Sequence, residues 1–342
     1  MTEDSTQGSF VGRYSERDGA VVYTLSGFGR EVVGETALNP RTWRDLGDGY
    51  AKDAEHVLYN GDAIEADAAS FVALGHGYAK DATAVFSQGA PATEPDDGPW
   101  DAPSFVVFGP RYVADRRGVF CIRYGYDCYE AVAVEGADPS DFEEVGLSFG
   151  RAPRAGVVYD NGVVEERLDA SSIALRGRFF VVDRNAVHHL RYGGKHTDDV
   201  ELHRIDADPR SFTLLGEHYA ADARSVFHFL NDDGDADVAT IQRLPDVSPA
   251  GFEALEAFDG YARAGRVILN HGVVERAIVD PATFEAIVPS RRRGLEALAP
   301  GWARDRLHVY RMRPELREME GFKLEVLSPE LVPGADPATF QP

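Results

Sequence analysis

The stretch YAKDAEHVLYNG, residues 50–61, returns in altered form at residues 78–89 as YAKDATAVFSQG. Both copies carry an aromatic start, an aspartate three residues on, a valine-led apolar pair, and a turn that ends in glycine. The same frame recurs with starts at Tyr14, Tyr50, Tyr78, Tyr112, Phe149, Phe180, Tyr219, Tyr261 and Trp302. The aspartate returns as Asp53, Asp81, Asp115, Asp183, Asp222 and Asp305, whereas Arg17, Ala152 and Ala264 depart from it. Seven residues before most starts stands Trp43, Phe71, Phe105, Phe142 or Phe212, and four residues before that Asn39, Asp67, Asp101, Asp138 or Asp208. DPATF appears at 280–284 and again at 336–340. Copies in phase over the whole chain define a tandem array, in which a recurring residue is read first as structural.

Each part of the frame has a physical reading. YAK alternates apolar and polar at period two, as a strand does. The aspartate suits the first position of a turn, where its carboxylate accepts backbone N–H groups. VLY is β-branched and aromatic and returns as a second strand. Asn60-Gly61 and Asn161-Gly162 tolerate positive φ and mark tight hairpins. A short third strand follows, such as AIEA or VVEE. DPxTF then reads as an aspartate N-cap, a proline in the first turn, and one helical turn that drops an aromatic into the core. Gly47, Gly75, Gly109, Gly146, Gly177 and Gly216 let the chain swing into the next unit. One such unit cannot bury its apolar face alone, so its neighbours complete the core.

The expected fold is all-β: about nine tandem β-hairpin or meander repeats, each with a short helical turn, in a rolled or superhelical array. Successive starts lie 28 to 42 residues apart. A four-stranded propeller blade takes ~40 residues, so the shortest spacing favours hairpins over blades. The alternative is a closed β-propeller-like ring, because the chain begins partway through a unit at Phe10 and ends on DPATF, the piece the first unit lacks. Residues 1–9 are expected as a disordered tail and residues 10–342 as a single array. Within it, PSRRRGLEALAPG (289–301) is a helix-prone insertion.

The pattern resembles the DKNYY repeat family of bacteria. The resemblance is clearest at KDAEHVLYNG (52–61) and KDATAVFSQG (80–89), with weaker copies over residues 14–340. The lysine after the aspartate is absent throughout, and one aromatic usually replaces the tyrosine pair. Some members of that family resemble lipoproteins or lie near toxin-secretion genes. The resemblance implies a repeat scaffold and no catalytic residues.

The net charge is -22. Nucleic acid and an anionic membrane surface would both repel such a chain, whereas a basic protein would be attracted. No apolar run approaches the ~18–20 residues of a membrane span, and MTEDSTQGSF has no apolar leader core. The expected location is the cytoplasm. Insertions in repeat arrays map to one face, often the binding face, which makes Arg291, Arg292 and Arg293 the expected partner-binding residues. The leading functional expectation is a non-catalytic protein-binding scaffold, in its most concrete form an immunity protein that neutralises a basic bacterial toxin. The alternative is a hydrolase or lyase with its site in a groove or central channel. Polar residues that break the repeat consensus and cluster on one face would favour the enzyme.

Chemistry-bearing residues are few. Six of the ten histidines, His188, His189, His196, His203, His218 and His228, fall within residues 188–228. His189 and His228 occupy the slot of Tyr59, which reads as packing, and no HExxH spacing occurs. No cofactor and no transition metal are expected. In NDDGDADV (231–238), Asp233, Asp235 and Asp237 alternate as calcium-loop ligands do, without the closing glutamate. An acidic hairpin turn explains them equally. Cys121 and Cys128 would face each other if Tyr124-Gly125 were a two-residue turn. A cross-strand disulfide is then sterically open, and free thiols are expected in a reducing compartment. No GxSxG, GxGxxG or P-loop occurs.

Overall fold

From Tyr50 onward, each aromatic start lies at or next to the beginning of the second strand of an antiparallel meander. In a computed structural model, which describes residues 11–27, 30–94, 98–124, 129–192, 200–230, 240–288, 300–319 and 322–342, eight sheets have four strands in sequential order. The first repeat contributes a three-stranded sheet, Val11–Arg17, Ala20–Gly27 and Arg30–Glu35. A two-stranded hairpin, Thr93–Glu94 with Gly98–Pro99, is appended between repeats. No sheet among the described residues closes into a barrel. The chain divides into two compact units. Met1–Ser171 holds the repeats that start at Tyr14, Tyr50, Tyr78, Tyr112 and Phe149, and Ser172–Pro342 holds the other four.

The Tyr50 repeat shows the plan. Its strands are Arg44–Gly47, Tyr50–Lys52, Val57–Tyr59 and Asp62–Ile64. Tyr50 pairs with Tyr59 and Lys52 with Val57, and Tyr59 pairs with Asp62 across Asn60-Gly61. Asn60 has φ 50° and Gly61 φ 92°, the two positive angles of a type I′ hairpin. The expected repeat of three strands is corrected to four. The missed one is the short strand before each start, such as Val72–Gly75 or Glu143–Gly146. The length argument against four-stranded sheets also fails, because strands of three or four residues fit all four within residues 44–64.

Alternation along the strands makes both faces of each sheet apolar. Tyr50 and Val57 face the next repeat, where they pack with Phe71, Ala79 and Phe86. Ala51 and Leu58 face the previous one and pack against Tyr14, Val21 and Tyr23. Large aromatics therefore meet small alanines at these interfaces. The same order holds in the C-terminal unit, where Tyr219 and Val226 pack with Ala262 and Leu269.

Polar ties join successive repeats. The Tyr14 hydroxyl donates to Gly49 O at 3.2 Å and accepts from Gly61 N at 2.8 Å. Tyr50 bridges Gly77 O and Gly89 N in the same way, each at 2.9 Å. Tyr112 does so with Ser148 O and Gly162 N. A Cβ at Gly89 would lie 2.5 Å from the Tyr59 ring, so only glycine admits this approach. The buried turn aspartate supplies a second tie. Asp53 accepts N–H groups from Glu55 (2.8 Å) and His56 (2.7 Å) in its own turn, and from Asn39 (2.7 Å) before the preceding strand. Asp81, Asp222 and Asp305 repeat this three-way set. Burial raises the Asp53 carboxyl, but the N–H donors lower it further, to about 2. A third tie is basic. Lys52 donates to Ala68 O and Phe71 O, Lys80 to Phe105 O, and Arg263 to Pro281 O and Phe284 O.

The DPxTF segments form single turns as expected, and Ala102–Ser104 and Pro281–Thr283 are 3-10 helices. Asp67, Asp138 and Asp208 accept the N–H two residues on. Asp101 makes no such cap, since Pro103 at that position has no N–H.

The cysteine hairpin is corrected. Tyr124 is a strand residue paired with Tyr129, and Cys121 is buried opposite Val132 rather than opposite the other cysteine. Cys128 lies outside the described residues, as do residues 1–9. Of the insertion at 289–301 only Pro300 and Gly301 are described, and Gly301 opens the strand Gly301–Arg304; the helix-prone GLEALA lies outside the described residues. Among the described residues no helix is long and apolar enough to cross a membrane.

Candidate functional site

The tyrosine tie of the Tyr219 repeat sets the frame of the site. The Tyr219 hydroxyl donates to Gly260 O at 2.8 Å and accepts from Gly272 N at 3.1 Å. Two turns of the Tyr261 repeat are thereby held against the strand Tyr219–Ala221. Glu217 and His218 immediately precede that strand, and His228 sits opposite Tyr219 in Val226–Leu230. Asp259 lies in one tied turn and His271 in the other.

These side chains converge. His218 Nε2 donates to Asp259 Oδ1 at 3.0 Å, and His271 Nε2 lies 3.8 Å from Asp259 Oδ2. Glu217, His218 and Asp259 can each present a ligand atom within 4.8 Å of the others. The His218 and His271 rings are 4.9 Å apart, and His228 lies 5.7 Å from His271 at 86°. His228 is 4% exposed, and its Nε2 has no hydrogen-bond partner. Burial, then His271, then His218, lower its basicity to about pKa 2, so the imidazole is neutral. A cavity of about 180 Å³ opens beside the group and is lined by Glu217, His218, Leu255, Asp259 and Tyr261.

The sequence run of histidines is therefore not one site. His189 is a packing residue, as its slot implied, with its ring 5.2 Å from Phe180. His188 is buried on the same strand, His203 is exposed, and His196 lies outside the described residues. His218 and His228 instead join His271, which falls outside that run. The repeat frame held the signal. His271 stands where other repeats carry Asn60, Gln88 or Asn161, and His218 stands where they carry Gly49, Gly77 or Gly260. The expected calcium ligands Asp233, Asp235 and Asp237 and the expected partner residues Arg291, Arg292 and Arg293 all lie outside the described residues.

A second perturbed group lies in the N-terminal unit. Glu144 accepts N–H groups from Arg111 (3.2 Å) and Tyr112 (3.0 Å) of the neighbouring repeat, and a Cβ at Gly109 would collide with its carboxylate. Burial nevertheless pushes its carboxyl up to about 7. It closes a repeat interface.

No family model, no curated protein and no solved structure matches this chain.

Proposed function

We propose that the chain is a protein-binding repeat scaffold whose partner is basic. The observation that carries this reading is the outermost strand of the repeats. Val163 and Val164 are both exposed in a two-residue strand followed by Glu165 and Glu166, and Val273 and Val274 are both exposed ahead of Glu275. Val32 and Val33 repeat the feature between Glu31 and Glu35. Neighbouring residues of a strand point to opposite faces, so these last strands project beyond the packed core on both faces. Each also leaves one backbone edge unpaired, which is a template for an added strand. Glu165 and Glu275 are held by Arg167 and Arg317, so the attraction for an extended segment rich in lysine or arginine comes from the net charge of -22, and the exposed valine pairs supply the apolar contact. The resemblance to the DKNYY repeats, with their toxin-secretion context, supports the finer reading of an immunity protein that neutralises a basic toxin in the cytoplasm. Charge also disfavours nucleic acid and anionic membranes as ligands.

Affinity capture from the native cell at low and then high salt tests this. The expected partner is basic and dissociates as salt rises, and Val163→Lys with Val273→Lys weakens its capture. Recovery of only acidic or neutral partners, with salt-independent affinity, would overturn the proposal. The convergence of His218, His228, His271 and Asp259 favours a second reading, a hydrolase or lyase, and turnover lost on changing one of them would establish it.

A further inference from the structure

We propose that Glu217, His218, Asp259 and His271 bind one divalent transition-metal ion of the zinc class, independently of any protein partner. Donors placed 2.0–2.1 Å from a tetrahedral ion lie ~3.3 Å from one another. The His218–Asp259 and His271–Asp259 separations, 3.0 Å and 3.8 Å, bracket that spacing. Glu217 brings a further carboxylate within 4.8 Å of His218 and Asp259.

Packing alone does not account for these residues. Two of them replace the residues that the repeat uses elsewhere, and both replacements are histidines at one seam. The His228 imidazole behind them is buried with an unpartnered Nε2, and a buried polar atom without a partner is costly. An ion-binding cluster gives that ring a reason to be an imidazole and not an apolar side chain. The Tyr219 bridge to Gly260 and Gly272 fixes the turns that carry Asp259 and His271, so the donors are held in place before an ion arrives. Two imidazoles with two carboxylates suit zinc, cobalt, manganese or iron, whereas calcium and magnesium take oxygen donors. The adjoining cavity of about 180 Å³ leaves room for water or a small ligand at an open coordination position.

The test uses the untagged full chain, stripped with a chelator and titrated with Co²⁺ and then Zn²⁺. One equivalent of Co²⁺ should develop visible d–d absorption that one equivalent of Zn²⁺ abolishes and millimolar Ca²⁺ does not. His271→Asn and His218→Gly each install the residue that other repeats carry in that slot, so both should fold. Each should weaken binding by more than ~10-fold, while His203→Asn, at an exposed histidine of another repeat, should change nothing. Absence of saturable one-to-one binding, or unchanged affinity in folded variants, would overturn the proposal. If a variant fails to fold, the wild-type chain still decides the matter. The His218 and His271 ring resonances must shift at one equivalent of Zn²⁺, and their failure to move refutes the site.

Discussion

Tyr50→Phe removes one oxygen atom and tests the tie that joins repeats. The ring contacts with Tyr59, at 4.8 Å, and Phe71, at 5.6 Å, survive the change, so the loss is confined to the hydroxyl. That hydroxyl donates to Gly77 O and accepts from Gly89 N. Gly77 O keeps a second bond, from Gln88 N at 2.8 Å, so its loss is limited to the ~1 kcal/mol of an ordinary net hydrogen bond. Gly89 N–H is left without an acceptor. A fully buried orphan donor costs ~1–3 kcal/mol, and Gly89 is half-buried, which lets water recover part of that. The expected destabilisation of this seam is about 2 kcal/mol. A repeat array opens locally as well as globally, so the direct assay is native-state hydrogen exchange at the Gly89 amide. At 1.4 kcal/mol per tenfold, exchange should accelerate about 30-fold. Exchange within threefold of wild type would show that the hydroxyl carries no inter-repeat stability.

Lys52→Met should destabilise by about 1.5–3 kcal/mol, the range for hydrogen bonds to a charged group, because Ala68 O and Phe71 O lose the ammonium; Lys52→Arg should restore most of it in chemical denaturation, since Arg263 plays the same part in its repeat. Asp53 has a folded pKa near 2, below its unfolded value of ~3.9, so its stabilisation is complete above pH ~4 and disappears as pH falls through 2. Asp81, Asp115, Asp222 and Asp305 shift in the same direction. A urea midpoint that holds level from pH 4 to 2 would contradict that account. Glu144 has the opposite sign. Its folded pKa near 7 lies above the unfolded ~4.3, so the fold binds the extra proton and loses stability as pH rises from about 4.3 to 7. Glu144→Gln should flatten that slope, and a Glu144 carboxyl that titrates below pH 5 by NMR would refute it.

The repeat, its period and its turns could be read from the sequence because they rest on local chemistry: a capping aspartate, a type I′ Asn-Gly pair, and alternating strands. The short strand before each start could not. Segments such as residues 72–75 and 143–146 hold too few residues to show a period, and they become strands only by pairing with the residues after them. The basic ties were also hidden, because Lys52 finds its carbonyls 16 and 19 residues away. The histidine group was half visible. His228 stands in the slot of Tyr59, yet the site needs His271 from the next repeat, 43 positions along the chain. Only the stacking of one repeat on the next, set by the Tyr219 bridge, brings the two rings together.

The tyrosine bridge also fixes what can be copied when such a chain grows by duplication. The hydroxyl and the two glycines it bonds, one an acceptor and one a donor, belong to different repeats, so duplicating a sheet alone would leave a hydroxyl without a turn to grip, or a turn without its hydroxyl. A segment such as residues 50–77 carries Tyr50, the Gly77 carbonyl its hydroxyl grips, and the Gly61 amide that bonds the hydroxyl of the preceding copy, Tyr14, so its remaining half-bonds match whatever copy it meets. The natural genetic module is thus out of phase with the visible structural one. Its seam falls inside a sheet, while length changes fall elsewhere, as between the third and fourth strands: two residues separate Tyr59 from Asp62, and nine separate Leu230 from Thr240.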